Sequence, residues 1–211
     1  MQPPRSVTLA WTGASGMPYG VRLLEQLLAS GIHVYLLVSA AAQIVARQEM
    51  NWSLPSQPER LQAELEARWP QASGTLRVLG RDEWFAPVAS GSNPADAMVV
   101  CPCTMGALAA IAQGLSENLI ERAADVCIKE RRTLVLVPRE TPFSVLHLEN
   151  MLRLARLGVV ILPPNPGFYH LPRSLDEIVD FVVARILDQL HVPHVLMPRW
   201  GETGTSPLPA G

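Results

Sequence analysis

Short runs rich in Val, Leu and Ile alternate along this chain with helical patterns, and that alternation limits the fold more than any other feature of the sequence. The runs are Val7 to Trp11, His33 to Val38, Leu76 to Leu79, Ala97 to Cys101, Leu134 to Val137 and Val159 to Leu162. Such short, continuously apolar segments read as strands buried on both faces of a parallel sheet. Between them the apolar spacing turns helical near Val21 to Ala29, Ala40 to Gln48, Pro58 to Trp69, Met105 to Ala112, Arg122 to Arg131, Val145 to Leu157 and Leu175 to Leu190. Alternating strands and helices predict an α/β fold with helices on both faces of the sheet. A chain of 211 residues suits one such domain, taken as 1–190, with 191–211 as a C-terminal tail in which Trp200 stands out.

In sheets of this kind ligands gather beyond the carboxyl ends of the strands, so the residues that follow each strand matter most. The first strand runs straight into Thr12-Gly13-Ala14-Ser15-Gly16-Met17-Pro18-Tyr19-Gly20. Its glycines let the backbone turn sharply, and the N–H groups of the next helix would offer partial positive charge to an anion. The loop reads as a phosphate cradle, or equally as a tight turn with no ligand. The second strand ends in Ser39-Ala40-Ala41-Ala42, without the acidic residue that holds an adenosine ribose, so a mononucleotide fits better than a dinucleotide. Thr104, Met105 and Gly106 follow the fourth strand, and Arg139 and Glu140 the fifth. A hydroxyl at a helix start is ordinarily an N-cap, and a charged pair on a loop is ordinarily solvated. Several such residues at one sheet edge favour a site.

Lys129 is the only lysine, in a chain that otherwise uses arginine, and stands about two helical turns after Arg122. A compact ammonium suits a phosphate contact, and chance retention on a solvated face is the alternative. Pro163 to His170 forms a stiff loop that presents Tyr169 to a ligand or packs it as an anchor. Ser174 to Glu177 has the spacing of a capping box, which makes Asp176 and Glu177 helix-start acids rather than a magnesium site. Arg185 stands among Phe181, Val182, Val183, Ile186 and Leu187, so a buried guanidinium there would need an anionic partner.

Several functions are disfavoured. Net charge is −2 with no dense basic block, which argues against nucleic acid. No apolar run approaches the roughly 18 residues of a membrane span, and the N-terminus has no signal-like segment, so the cytoplasm is expected. Cys101, Cys103 and Cys127 are an odd set expected to stay reduced, and the scattered histidines leave no zinc site, so no metal is expected.

Taken together, Thr12 to Gly20, Ser39 to Ala42, Glu49, Ala89 to Ser92, Cys101 to Gly106, Asn118 to Val126, Lys129 to Arg132, Pro138 to Pro142, Pro163 to His170 and Arg199-Trp200 resemble the flavin prenyltransferases of the UbiX family. The likeness spans nearly the whole chain, with Thr104 where serine is common. It implies a three-layer αβα Rossmann-like fold, that of the homo-oligomeric flavoproteins which also include cysteine decarboxylases. It implies that the dimethylallyl group of dimethylallyl monophosphate is joined to N5 and C6 of reduced FMN without a metal. The prenylated FMN would then serve a UbiD-type decarboxylase in a ubiquinone or aromatic acid pathway.

By the same resemblance Gly13, Ala14, Ser15, Ser39, Thr104, Met105, Gly106, Ala107 and Arg139 hold FMN. Ser90, Gly91, Arg122, Lys129, Tyr169 and Arg185 hold the substrate phosphate, some across subunits of a homo-oligomer, expected to be a dodecamer. Ser15, Glu49 and Glu140 handle protons. Trp84 and Trp200 would face the allyl cation, each contact worth roughly 0.5–2 kcal/mol, with hydrophobic packing the alternative. Trp200 would close over the site. Two rival readings are a cysteine-type FMN decarboxylase on the same fold and a non-catalytic flavin carrier.

Overall fold

A computed structural model describes residues 2–198 of the chain. Its strands are β1 Ser6–Trp11, β2 His33–Val38, β3 Thr75–Leu79, β4 Ala97–Cys103, β5 Thr133–Pro138 and β6 Val160–Ile161. They form one sheet in the order β3-β2-β1-β4-β5-β6, with every pair parallel. The helices are α1 Met17–Ala29, α2 Ala40–Met50, α3 Pro58–Arg68, α4 Met105–Gln113, α5 Leu119–Lys129, α6 Val145–Arg156 and α7 Leu175–Gln189.

The two-residue period of the strands divides the core into two layers. Val7, Leu9 and Trp11 of β1 pack with Val34, Val99 and Val135 against α1, α2, α3 and α7. Ala10 lies on the other face with Leu37, Val100 and Leu136, against α4, α5 and α6. Leu23, Leu24 and Leu27 seal α1 to the sheet with no exposed surface, each burial stabilising the fold by roughly 1.5–3 kcal/mol. The result is the expected three-layer αβα arrangement.

Element boundaries differ from the sequence reading where local chemistry overrides pattern. β4 continues through Pro102 to Cys103, with a register shift between Val100 and Cys103 that accommodates the proline. α1 begins at Met17, because Pro18 is tolerated in a first turn. α5 begins at Leu119, where the Asn118 side chain accepts the N–H groups of Ile120 and Glu121. At α7, Ser174 accepts the N–H of Glu177, but the Glu177 carboxylate turns to the N–H of Arg173, so only half of the expected capping box forms. The reciprocal box heads α6 instead, between Ser144 and His147. Core packing continues past residue 190, with Val192 buried and Leu196 and Met197 against the α1 and α7 layer. The tail from 199 on, Trp200 included, lies outside the described residues. Among the described residues no helix is long and apolar enough to cross a membrane.

Candidate active site

The chain order reverses between β1 and β4, which opens a crevice at their carboxyl ends. Buried Thr12 ties the two strand ends together: its hydroxyl donates to the Pro102 carbonyl at 2.7 Å and accepts the Thr104 N–H at 2.9 Å. The Ser39 N–H donates to the Trp11 carbonyl at 3.0 Å, and the Arg139 N–H to the Cys103 carbonyl at 3.3 Å. Gly13 runs so close to Ala41 that any side chain there would overlap it. These contacts bring Gly13, Ala14, Ser15, Ser39, Thr104, Met105, Gly106, Ala107 and Arg139 to one edge of the sheet.

Part of the glycine loop's donor capacity is taken up by the protein itself. The Glu49 carboxylate reaches back from α2 and accepts the N–H groups of Gly16, at 3.0 and 3.1 Å, and of Met17, at 2.9 Å. A protein carboxylate thus takes the Gly16 and Met17 N–H groups at the head of α1, leaving Gly13, Ala14 and Ser15 as the part of the Thr12 to Gly20 loop that faces the crevice. The heads of α2 and α4 are open by comparison. Ser39 and Thr104 are N-caps, accepting the N–H groups of Ala42 and Ala107 at 3.1 Å each. The N–H groups of Ala40, Ala41, Met105 and Gly106 hydrogen-bond to none of the described residues. Two helix starts and two hydroxyls therefore point anion-binding capacity at the crevice.

Beside them lies a cavity of about 430 Å³ lined by Ser15, Tyr19, Arg139, Glu140, Phe143 and Asn165, within the size range of ligand pockets. Burial, with the nearby Cys101 and Glu49, raises the Tyr19 phenol above its ordinary pKa, so it stays a neutral donor. A second cavity of about 300 Å³ is lined by Phe181, Arg185, Gln189 and again Asn165. Arg185 is not buried: its side chain is 50% exposed and pairs with Asp188 at 2.6 Å. The helical period turns it away from its apolar sequence neighbours, which are buried. It needs no ligand to be stable.

Arg122 and Lys129 assemble elsewhere. The Arg122 Nε donates to the Ala89 carbonyl at 2.9 Å, and one terminal nitrogen pairs with Asp125 at 2.7 Å. Lys129 pairs with Glu130 and holds its exposed carboxyl below the usual range. A Cβ on Gly91 would overlap the ends of both Lys129 and Glu130. Ser90 lies next to it, hydrogen-bonded to Ser92 at 2.9 Å. Ser90, Gly91, Arg122 and Lys129 thus form one group on the α4, α5 and α6 face, whereas Arg185 lies on the α7 face. One chain does not gather the three cations, because the sheet stands between them. Trp84 is 44% exposed and lines neither cavity. Tyr169 packs edge-on against Phe181 at 5.9 Å and also lines neither.

Tyr19, Phe143 and Asn165 line the crevice but were not singled out as site residues. Tyr19 and Asn165 stood in segments already marked, the glycine loop and the proline loop, and Phe143 followed Arg139-Glu140 by a few positions. The three cysteines are free and buried, with burial pushing the Cys103 and Cys127 thiols up to about 12 and Cys101 further in the same direction. Among the described residues no cluster of three His, Cys, Asp or Glu could hold a metal ion.

The Flavoprotein family model matches residues 1–187. The flavin prenyltransferase UbiX of Pseudomonas aeruginosa is 55% identical over 202 residues, covering 96% of this chain and 97% of that protein. A crystal structure of AnUbiX in complex with FMN and dimethylallyl pyrophosphate matches with a TM-score of 0.82 at 39% identity, covering 93% of this chain and 97% of that one. A dodecameric FMN-dependent UbiX-like decarboxylase from Escherichia coli O157:H7 matches with a TM-score of 0.81 at 39% identity, covering 92% and 98%.

Proposed function

We propose, for a chain that belongs to the Flavoprotein family and within it to the UbiX flavin prenyltransferases, that it joins the dimethylallyl group of dimethylallyl monophosphate to reduced FMN. The observation that carries this reading is the meeting of Ser15, Arg139 and Glu140 on one cavity, beside the capped but still open heads of α2 and α4. The fit to a flavin mononucleotide is chemical. Free N–H groups and the Ser39 and Thr104 hydroxyls suit its phosphate, and Arg139 and Ser15 suit the polar edge of its ring system. Bound reduced FMN would supply the nucleophilic nitrogen N5 and carbon C6.

The chain's own groups answer the remaining needs of the reaction. Breaking the allylic carbon–oxygen bond leaves negative charge on phosphate, which Lys129, Arg122 and Arg185 stabilise by charge-assisted hydrogen bonds. Since the sheet separates Arg185 from the other two, the phosphate seat is shared between copies. Ser90, Gly91, Arg122 and Lys129 of one copy meet Tyr169 and Arg185 of another, and exposed Trp84 packs at that junction. A homo-oligomer, dodecameric in this reading, follows from the same need. Glu49 and Glu140 carry carboxylate oxygens that accept and return protons, and the Ser15 hydroxyl adds a donor. The product passes to a UbiD-type decarboxylase in the cytoplasm.

The test is anaerobic incubation of the purified protein with reduced FMN and dimethylallyl monophosphate, followed by the mass of the released flavin. A gain of one five-carbon unit supports the enzyme. Unchanged flavin overturns it in favour of a carrier. Release of carbon dioxide from a cysteine-terminated peptide, with the flavin mass unchanged, favours the decarboxylase.

A further inference from the structure

Pro163 and Asn165 are the residues common to the two cavities, the one that holds Ser15, Arg139 and Glu140 and the one that holds Arg185. Of the two, only Asn165 has a side chain able to hydrogen-bond. The loop that carries it is built to keep it there. Pro163, Pro164 and Pro166 restrict the backbone on both sides, and the Asn165 N–H closes a tight turn onto the Pro163 carbonyl at 2.7 Å. Two residues on, Gly167 runs so close to Phe181 and Tyr169 that a Cβ would collide with both rings, which clamps the loop to α7. The Asn165 residue is exposed, and its amide makes no hydrogen bond among the described residues. A backbone held this stiffly leaves only the Asn165 side-chain torsions to be ordered when a ligand arrives.

We propose that Asn165 is a substrate-binding residue, its amide NH2 donating to a phosphate oxygen of the dimethylallyl ester where the ester spans from the Ser15 cavity toward Arg185. The assignment rests on the prenyl-transfer reading. A neutral donor at this point suits a group that must be held before ionisation and released after it, since a further full charge would slow product departure. Charge sign gives the discriminating signature. Asn165→Ala removes one donor, whereas Asn165→Asp places a carboxylate against the phosphate.

The experiment measures binding and turnover separately. Dimethylallyl monophosphate is titrated calorimetrically into protein loaded with oxidised FMN, which does not react, and FMN affinity is read from fluorescence quenching. For Asn165→Ala the expected result is about a tenfold loss of ester affinity and a matching rise in KM, with kcat and FMN affinity nearly unchanged. Asn165→Asp should lose severalfold more. Equal losses for Ala and Asp, a parallel loss of FMN affinity, or no loss at all each overturn the proposal. If wild-type protein binds the ester but leaves the flavin mass unchanged, the prenyl-transfer reading fails while the Asn165 contact still stands or falls on the titration.

Discussion

The carboxylate of Glu49 grips the backbone N–H of Gly16 at 3.0 and 3.1 Å, so the residue assigned to proton transfer also fixes the turn that presents Ser15. Gly16 holds φ at +116°, a conformation that side chains rarely adopt, and a Cβ there would press on the Tyr19 ring. Structure and chemistry meet in one contact. Glu49→Gln keeps an acceptor but loses the charge that favours the helix head, which costs about 0.3–1 kcal/mol. A fall in Tm of a few degrees, with prenylation reduced on the order of 100-fold and FMN binding retained, is the expected result. A large Tm fall with normal turnover would leave Glu49 a purely structural cap.

Lys129 faces the 89–92 loop rather than the Ser15 cavity of its own chain. Lys129→Ala should therefore leave FMN affinity unchanged, because no flavin-side contact is lost. Prenyl transfer should drop on the order of 100-fold from loss of one charge on the leaving phosphate. Equilibrium FMN titration alongside single-turnover flavin mass separates the two effects.

Gly91→Ala is a milder probe of the same group. The added methyl meets the flexible ends of Lys129 and Glu130 rather than backbone, so folding should change little. Lys129 must shift to accommodate it. KM for the ester should rise severalfold, a few kcal/mol being unnecessary for that size of effect, and a thermal melt within about a degree of wild type would confirm that the fold is intact.

The sequence made the strands and their order of use legible because a doubly buried parallel sheet demands continuous apolar runs. The carboxyl-edge residues were legible for the same reason, since the fold dictates where strand ends converge. Less was visible where one side chain decides between equal alternatives. No periodicity shows that Glu49 reaches back to the N–H groups of Gly16 and Met17, nor that Glu177 prefers the N–H of Arg173. Arg185 misled because its neighbours are apolar in sequence, whereas a helix turns each residue by about 100° and can expose one among five buried ones. The face on which α5 and α7 lie depends on sheet order, which no local pattern encodes, so the resemblance implied that some of these residues act across subunits but not which ones.

The thiols give a pH signature. An unfolded cysteine titrates near 8.5, while burial holds Cys103 and Cys127 near 12. Their contribution is complete below the unfolded value and drains as pH rises toward the folded one. Stability should fall by about 1.4 kcal/mol per pH unit for each thiol over that window. Denaturant midpoints measured between pH 8 and 11 should fall accordingly, and Cys127→Ala should make that decline shallower. An unchanged slope would show that Cys127 is not held protonated.

The central claim is a prenyl-transfer site whose cations come from two copies of the chain, and co-expression of Lys129→Ala with Arg185→Ala tests it most directly. Each variant alone should fall on the order of 100-fold in prenyl transfer. Random mixing in a symmetric oligomer leaves about a quarter of shared sites with both residues intact, so mixed assemblies should recover roughly that fraction of wild-type prenylated flavin. No recovery from mixed assemblies, with each variant still folded and able to bind FMN, would contradict the account.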